Sequence, residues 1–583
     1  MKETQLLEKA KKYLENEKDS YFREDLETVI KAGNFDELND RFFKTLEFGT
    51  AGLRGVIGGG DNRMNPYNIS KAAQGLANYI NKNVSGKKDA VVAYDSRLFS
   101  TTFADTVAMV LAANGIHCYL FSSLRPTPEL SFAIRYLNCT TGAVVTASHN
   151  PSEYNGFKVY WNNGGQIIEP HDTGIIKEVE AVSSINLIDK QKAIDSGLIT
   201  IIDKEIDDAF ISTIEKYLLR KELFTQYADA TKIVYTPLNG TGLLLVKQML
   251  SKLGVPVVIV KEQEEPDGNF PTCPYPNPEI AEALELACKL GKEQRAAIVM
   301  GTDPDADRLG IAVPDFKQES GFTLITGNQL GSMLCYYILN TLSEFDKLPQ
   351  QGGIVKTIVT TNLASDIATS FGVKVANVLT GFKWIASAMD KFEEEGTEYI
   401  FGFEESYGFN MLKEVRDKDA IGTVALCVEM ALYCASKNKT LLDYLNEIYL
   451  KYGYYEEFQI SKTFKGESGL ITMKNLMDEL RNRPLNQLGC QKVVILRDYL
   501  SGKEISLDTK EENEIDLPSS NVLQYQLDDG SLFTIRPSGT EPKIKFYGSC
   551  RVNVTYTLDE AKYIARKKIE AIKERVEEIL KEF

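Results

Sequence analysis

The spacing of apolar residues changes along the chain. Near the start, Leu6, Leu7, Ala10, Tyr13 and Leu14 recur at helical intervals among charged residues, which predicts a leader of amphipathic helices packed on the first globular unit. Beyond it the helical period gives way to short apolar runs that stop at polar or Gly-rich turns and precede helical stretches. Positions 90–94, 143–145, 233–235, 298–300 and 354–359 are such runs, and they predict successive α/β layers. The units recur without a strict short period, so three α/β domains are expected rather than a solenoid. The last portion reads differently: runs at 493–496, 523–525 and 532–535 predict strands, and one long helix closes the chain, an α+β arrangement. That helix opens with Thr557 and Glu560 at capping-box spacing and sets Ala561, Ile564, Ile572, Val576 and Ile579 on one stripe. Breaks near the charged segment 204–219, at Thr326-Gly327-Asn328 and in the Tyr-rich stretch 449–455 divide the chain into 1–215, 216–325, 326–455 and 456–583.

Composition narrows the function classes. The 583 residues fit about four units at roughly 150 residues each. Lys and Arg number 66 against 82 Asp and Glu, and a formal charge of −16 opposes a nucleic-acid partner. It does not oppose small phosphates, because a few Arg, Lys and backbone N–H groups outweigh a distant field. Nine cysteines without a CxxC pair argue against a disulfide framework and for a reducing cytoplasm. The first residues hold no apolar signal core and no run approaches the ~20 apolar residues of a membrane span, so a soluble, unexported protein is expected. Nothing in the pattern fixes an oligomeric state.

Four loops carry candidate chemistry. Thr146-Ala147-Ser148-His149-Asn150-Pro151 follows an apolar run, and the carboxyl end of a strand is where open α/β sheets present ligand loops. Ser148 is thus a candidate nucleophile that His149 could assist, although Ser, Asn and Pro also make ordinary turns. The segment is not the G-x-S-x-G elbow of a hydrolase. Asp303-Pro304-Asp305-Ala306-Asp307-Arg308 places three carboxylates at alternate positions after another run. Their repulsion calls for a cation, and hard oxygen ligands suit Mg²⁺. An EF-hand would need Gly and Glu where Arg308 and Pro314 stand; a phosphatase with an aspartyl nucleophile remains a competing reading. Gly402-Phe403-Glu404-Glu405-Ser406-Tyr407-Gly408 offers acceptors and a hydroxyl for sugar hydroxyls. Arg536-Pro537-Ser538-Gly539-Thr540 combines a fixed cation, two hydroxyls and a Gly into a phosphate cradle.

In this order the four loops resemble those of the α-D-phosphohexomutases, the family of phosphoglucomutases and phosphomannomutases. Phe48-Gly49-Thr50-Ala51-Gly52-Leu53-Arg54-Gly55, Phe157-Lys158 and Thr380-Gly381-Phe382-Lys383-Trp384 carry the likeness towards the longer bacterial type related to phosphopentomutases. The resemblance implies three similar mixed α/β-sheet domains and an α+β fourth domain around one central cleft. It implies a phosphoryl carrier at Ser148, and Mg²⁺ held by Asp303, Asp305, Asp307 and an oxygen of the Ser148 phosphate. Arg308 would lie beside them; Arg54 and Lys158 would approach the reacting group. Glu404 and Ser406 would grip the sugar, with Thr380, Gly381 and Lys418 adding contacts and Arg536, Ser538, Gly539 and Thr540 holding the distal phosphate. The implied reaction interconverts the 1- and 6-phosphates of glucose through glucose 1,6-bisphosphate, with mannose or pentose phosphates as alternative substrates. Lys158 is the expected acid/base, its pKa lowered by a cationic cleft. The phosphomannomutase/phosphoglucomutase subgroup carries a His two residues after the sugar-loop Ser, where this chain has Gly408. A sugar phosphatase and a non-catalytic sugar-phosphate sensor stand as readings of other classes.

Overall fold

The computed structural model describes residues 3–49, 52–464, 466–537 and 543–582. The leader forms three helices, Glu3–Asn16, Ser20–Lys31 and Phe35–Phe42, whose apolar faces meet through Leu6, Ala10, Tyr13, Leu26, Leu38 and Phe42. Phe22 instead joins the core of the first sheet and stacks on Phe103, which fastens the leader to that unit.

The first sheet runs in spatial order Gly52–Val56, Tyr154–Trp161, Thr141–Val145, Asp89–Tyr94, His117–Phe121 and Ile199–Ile202. Its last four strands are parallel and the first two turn antiparallel. Parallel strands covered by helices need apolar side chains on both faces, and Asp89–Tyr94 is buried at every position. The second sheet, Phe322–Ile325, Leu309–Pro314, Ile298–Thr302, Ile233–Thr236 and Val257–Ile259, repeats the mixed pattern. So does the third, Lys374–Val378, Gly352–Thr357, Glu398–Glu404 and Gly408–Asn410. The fourth is antiparallel, from Tyr454–Thr463 through Lys543–Val552, Leu532–Pro537, Leu523–Leu527 and Gln491–Asp498 to two short strands. Helices Gly466–Asn482 and Leu558–Lys581 pack on it. The expected α/β, α/β, α/β, α+β order is the one observed.

Two local expectations need correction. The run 354–359 leaves the sheet after Thr357, because Ile358 and Val359 pack with Tyr499 and Val522 of the fourth unit. In the closing helix Ile564 is 38% exposed, and Ala565 and Ile569 occupy the buried stripe. Thr557 does cap that helix, accepting from Glu560 N at 3.2 Å. No single described helix is long and apolar enough to cross a membrane, and the apolar Ala420–Ser436 is core.

Candidate active site

Thr141–Val145 turns back antiparallel into Tyr154–Trp161, with Val144 opposite Lys158, and the connecting loop carries Ser148. Ser148 has φ +52°, a left-handed conformation that costs a residue with a Cβ on the order of 1 kcal/mol. Its N–H donates to Thr146 Oγ1 at 2.7 Å, which helps to hold that turn. Its hydroxyl donates to Asp303 Oδ2 at 2.8 Å and lies 3.1 Å from His149 Nδ1. Burial first, then the charges of Arg308 and Arg54, push the His149 imidazole well below its ordinary value. His149 is therefore neutral beside Ser148. Arg54 stands solvent-exposed on the adjoining strand, opposite Gly156.

The acidic loop joins Ile298–Thr302 to Leu309–Pro314, a hairpin with Thr302 opposite Leu309. Asp303 Oδ1 accepts from the N–H groups of Asp307 at 3.1 Å and Arg308 at 3.0 Å, which winds the loop inward. Asp303, Asp305 and Asp307 are buried, each with a carboxylate oxygen within 4.8 Å of the others. Burial, then repulsion from Asp307 and Asp305, pushes the Asp303 carboxyl well above the usual range, and burial and Asp305 raise Asp307. Burial acts the same way on Asp305, but Lys158 outweighs it and holds that carboxyl low. Asp305 Oδ1 and Asp307 Oδ1 are buried without a hydrogen-bond partner. Orphaned, mutually repelling carboxylate oxygens fit a hard cation.

Lys158 Nζ lies 2.9 Å from Asp305 Oδ2 and 3.8 Å from Asp307 Oδ2. The cationic setting expected for Lys158 is thus corrected: its immediate partners are carboxylates, because the acidic hairpin lies against the strand that bears it.

The third loop turns from Glu398–Glu404 into Gly408–Asn410 and meets the acidic hairpin. Arg308 pairs with Gly408 in an isolated bridge, and Leu309 N donates to Tyr407 O at 3.1 Å. Lys418 Nζ lies 3.0 Å from Asp307 Oδ2 and 3.2 Å from Asp417 Oδ1. Burial would lower the Lys418 ammonium, yet Asp307, Asp417 and Glu404 outweigh it and raise its pKa, so it stays charged. A Cβ at Gly408 would lie 2.3 Å from Lys418 Cδ and 3.2 Å from Glu404 Cγ. The stem of Lys418 fills the space that a side chain at position 408 would need, which is the physical counterpart of the missing His. Gly381, at φ +111°, precedes Phe382–Glu395, and the Phe382 ring lies 5.7 Å from Lys418 Nζ, so the chain just after Thr380 and Gly381 reaches Lys418. Ser406 sits half-buried in the turn beside Glu405, whose carboxylate accepts from Thr357 Oγ1 at 3.2 Å and Thr360 Oγ1 at 3.1 Å.

Arg308 also pairs with Glu279. Arg536, in the fourth unit, stands opposite Lys545 on paired strands. Burial lowers Lys545, aided by repulsion from Lys543 and Arg536, against the pull of Glu405 of the sugar loop. Ser538, Gly539 and Thr540 lie outside the described residues. Three residues that sequence reasoning missed complete the described site. Thr127 donates to Asp305 through both N and Oγ1, to O and Oδ2 respectively, each at 2.9 Å. Tyr160 donates to Asp417 Oδ2 at 2.7 Å, so Asp417 links the first unit to Lys418. Thr127 opens the helix Thr127–Tyr136 a few residues after the strand His117–Phe121, near the strand end that the rule for ligand loops marks, but nothing local names Asp305 as its partner.

Family models described as phosphoglucomutase/phosphomannomutase α/β/α domains I, II and III match residues 45–186, 208–317 and 326–452. A phosphoglucomutase of Staphylococcus saprophyticus is 34% identical over 545 residues, covering 93% of this chain and 96% of that protein. One from Staphylococcus aureus is 36% identical over 523 residues, covering 88% and 91%. Among solved structures, parafusin (phosphoglucomutase) from Paramecium shares the fold with a TM-score of 0.67 at 18% identity, covering 92% of this chain and 94% of that one. With three domain matches in the order of the three mixed sheets and such identity across nearly its whole length, the chain belongs to the phosphoglucomutase/phosphomannomutase family of α-D-phosphohexomutases, and is an isomerase.

Proposed function

We propose that this enzyme interconverts glucose 1-phosphate and glucose 6-phosphate in the cytoplasm, through a phosphoserine at Ser148 and a glucose 1,6-bisphosphate that turns over within the site. One observation carries the reading: the Ser148 hydroxyl bonds Asp303 at 2.8 Å, at the edge of a buried carboxylate trio. The glucose assignment follows the Staphylococcus phosphoglucomutases. The cytoplasmic assignment draws support from nine cysteines that are all free. The units 1–215, 216–325, 326–455 and 456–583 each supply one loop.

Asp303, Asp305 and Asp307, with an oxygen of phosphorylated Ser148, would hold Mg²⁺, which supplies charge stabilisation to a transferring phosphoryl group. In the first transfer the Ser148 Oγ–P bond breaks and the free sugar hydroxyl forms a new O–P bond, giving up its proton. Lys158 is our acid/base: it passes a proton to Ser148 Oγ as the phosphoryl group leaves and takes up the proton that the sugar hydroxyl gives up, while neutral His149 lies beside Ser148 Oγ and orients it. Arg54 and Arg308 offset charge on the moving phosphoryl. Glu404 and Ser406 grip sugar hydroxyls, Thr380 and Gly381 line the same wall, and Lys418 stays a fixed cation. Arg536 with Ser538, Gly539 and Thr540 takes the distal phosphate, and must do so in both orientations of the bisphosphate.

The test supplies glucose 1-phosphate, Mg²⁺ and a trace of glucose 1,6-bisphosphate, and follows glucose 6-phosphate. Wild type converts and Ser148→Ala does not. Stoichiometric inorganic phosphate without isomerised sugar would mean a phosphatase and sink the reading. A higher kcat/KM for mannose or ribose phosphate would move the substrate assignment.

A further inference from the structure

Arg97 follows the strand Asp89–Tyr94, and no step of the proposed chemistry uses it. Its guanidinium is fully buried. Nη1 donates to the carbonyls of Pro151 at 2.7 Å and Tyr154 at 3.0 Å; Nη2 donates to Ser148 O at 2.5 Å and to Asn150 O. One planar cation thus gathers four carbonyls from Ser148 to the first residue of the following strand, of which Pro151 O also accepts from Tyr154 N at 3.1 Å. Nε faces Asp95 Oδ2 at 3.4 Å, while Asp95 Oδ1 accepts from Arg97 N at 3.0 Å and Ser100 Oγ at 2.7 Å, so the guanidinium is itself anchored. The second unit presses on it. The Phe270 ring centroid lies 5.0 Å from the guanidinium carbon, and a Cβ at Gly268 would lie 2.5 Å from Leu98 N.

We propose that Arg97 is the positioning residue of the phosphoryl carrier: its fork holds the Ser148 loop so that Oγ meets Asp303, and Phe270 keeps the fork flat against that loop. The inference rests on Ser148 being the carrier. A lysine cannot replace the fork, because an ammonium is a point charge whose donors cannot span four carbonyls in one plane. Sugar and distal phosphate are held by other loops, so losing the fork should lower kcat and spare KM.

The experiment uses full-length Arg97→Lys, Arg97→Ala and Phe270→Leu, with folding checked by circular dichroism. For Arg97→Lys, kcat should fall about 100-fold, as for a misplacement of ~1 Å, with KM for glucose 1-phosphate within about 2-fold. Phosphorylation of Ser148 by glucose 1,6-bisphosphate, read by quenched-flow mass spectrometry, should slow by the same factor. Millimolar guanidinium should raise kcat of Arg97→Ala and leave Arg97→Lys and wild type unchanged. Wild-type kcat in Arg97→Lys, or a rise in KM alone, overturns the proposal. If wild-type Ser148 acquires no phosphate, the functional reading falls and this inference with it; if wild type and Arg97→Lys are phosphorylated equally fast, only the inference falls. Should neither Arg97 variant fold, Phe270→Leu decides: a kcat lower by about 5-fold at unchanged KM supports the role, and wild-type kcat rejects it.

Discussion

The first three sheets share one continuous apolar core, to which Val91 and Leu130, Tyr235 and Met300, and Ile354 and Phe403 all belong. The fourth keeps most of its core to itself, around Leu476, Tyr525, Phe546 and Ile572; it reaches the third through a small cluster of Ile358, Val359, Leu379, Tyr499, Val522 and Tyr547, and only Tyr454, Tyr455, Val552, Ala561 and Ala565 at its edge join the shared core. Polar contacts repeat the contrast. Around the acidic trio, Ser148, Thr127, Lys158 and Lys418 converge from two neighbouring units on three buried carboxylates. At the joint with the fourth unit, Gln524 donates to Ile358 O at 2.8 Å and Tyr455 to Asp366 Oδ2 at 2.6 Å. Phosphoryl transfer tolerates little error in the reacting atoms, whereas a distal-phosphate grip has to accept either end of a bisphosphate. The shared core lies where the demand for fixed geometry is greatest.

The largest expected effect comes from breaking the stitched side. Asp305→Asn removes one carboxylate of the trio, weakens the bond from Thr127 and leaves Lys158 buried without its nearest partner, a change that costs about 3–5 kcal/mol when a buried pair is broken. We expect kcat to fall by about 10³ and Mg²⁺ binding, measured by calorimetry on the unphosphorylated enzyme, to weaken in parallel. Turnover within 10-fold of wild type would show that the trio is not the reacting centre.

The joint should respond to pH instead. Glu457, on the first strand of the fourth sheet, is half-buried at its surface but has its carboxyl enclosed, and that desolvation pushes it up to about 7, against hydrogen bonds from Thr361 and Ser549. Between its ordinary value of 4.5 and 7 the folded chain keeps a proton that the unfolded chain has lost, so stability falls as pH rises through that window, by about 3 kcal/mol. Glu457→Gln has no proton to lose, and its thermal midpoint should drop less than that of wild type between pH 4.5 and 7. Lys356 carries the opposite sign: burial pushes it down to about 8, so its contribution rises with pH above that value. Equal slopes for mutant and wild type between pH 4.5 and 7 would mean that Glu457 ionises freely in the fold.

Thr127→Val tests the stitching more finely. It keeps shape and backbone bond but loses the hydroxyl bond to Asp305. Groups that orient metal ligands are worth about 10–100-fold in affinity, so Mg²⁺ should bind about 10-fold more weakly, with kcat largely restored at saturating Mg²⁺. Unchanged Mg²⁺ affinity would demote Thr127 to packing.

How much of this was legible beforehand follows the same divide between local and long-range order. Ser148 and the Asp303 to Asp307 run were readable because each loop is dense in chemistry and follows an apolar strand, a pattern contained in a dozen residues. Thr127 was not, because a lone threonine meets its carboxylate 178 positions away and nothing near it marks the pairing. The carboxylate surroundings of Lys158 are hidden from the sequence for a related reason: nearby residues do not tell which hairpin will lie against a strand. Period alone puts Ile564 on the buried stripe, whereas the sheet beneath takes Ala565 and Ile569, one turn apart, instead.

The smallest expected effect lies at the joint and sharpens the comparison most. Gln524 Nε2 donates to Ile358 O at 2.8 Å and to Thr534 Oγ1 at 3.0 Å, tying the third unit's strand exit to the sheet that carries Arg536. Gln524→Met keeps length and bulk and removes these two bonds together with the longer ones that Arg497 and Tyr499 donate to its Oε1, a loss of about 1–3 kcal/mol. If the fourth unit serves only to grip the distal phosphate, KM for glucose 1-phosphate should rise by less than about 3-fold, while Mg²⁺ affinity and the rate of Ser148 phosphorylation stay at wild type. A weaker Mg²⁺ site in Gln524→Met would mean that strain crosses the joint into the acidic hairpin, and the division between a stitched reacting side and a separate grip would fail.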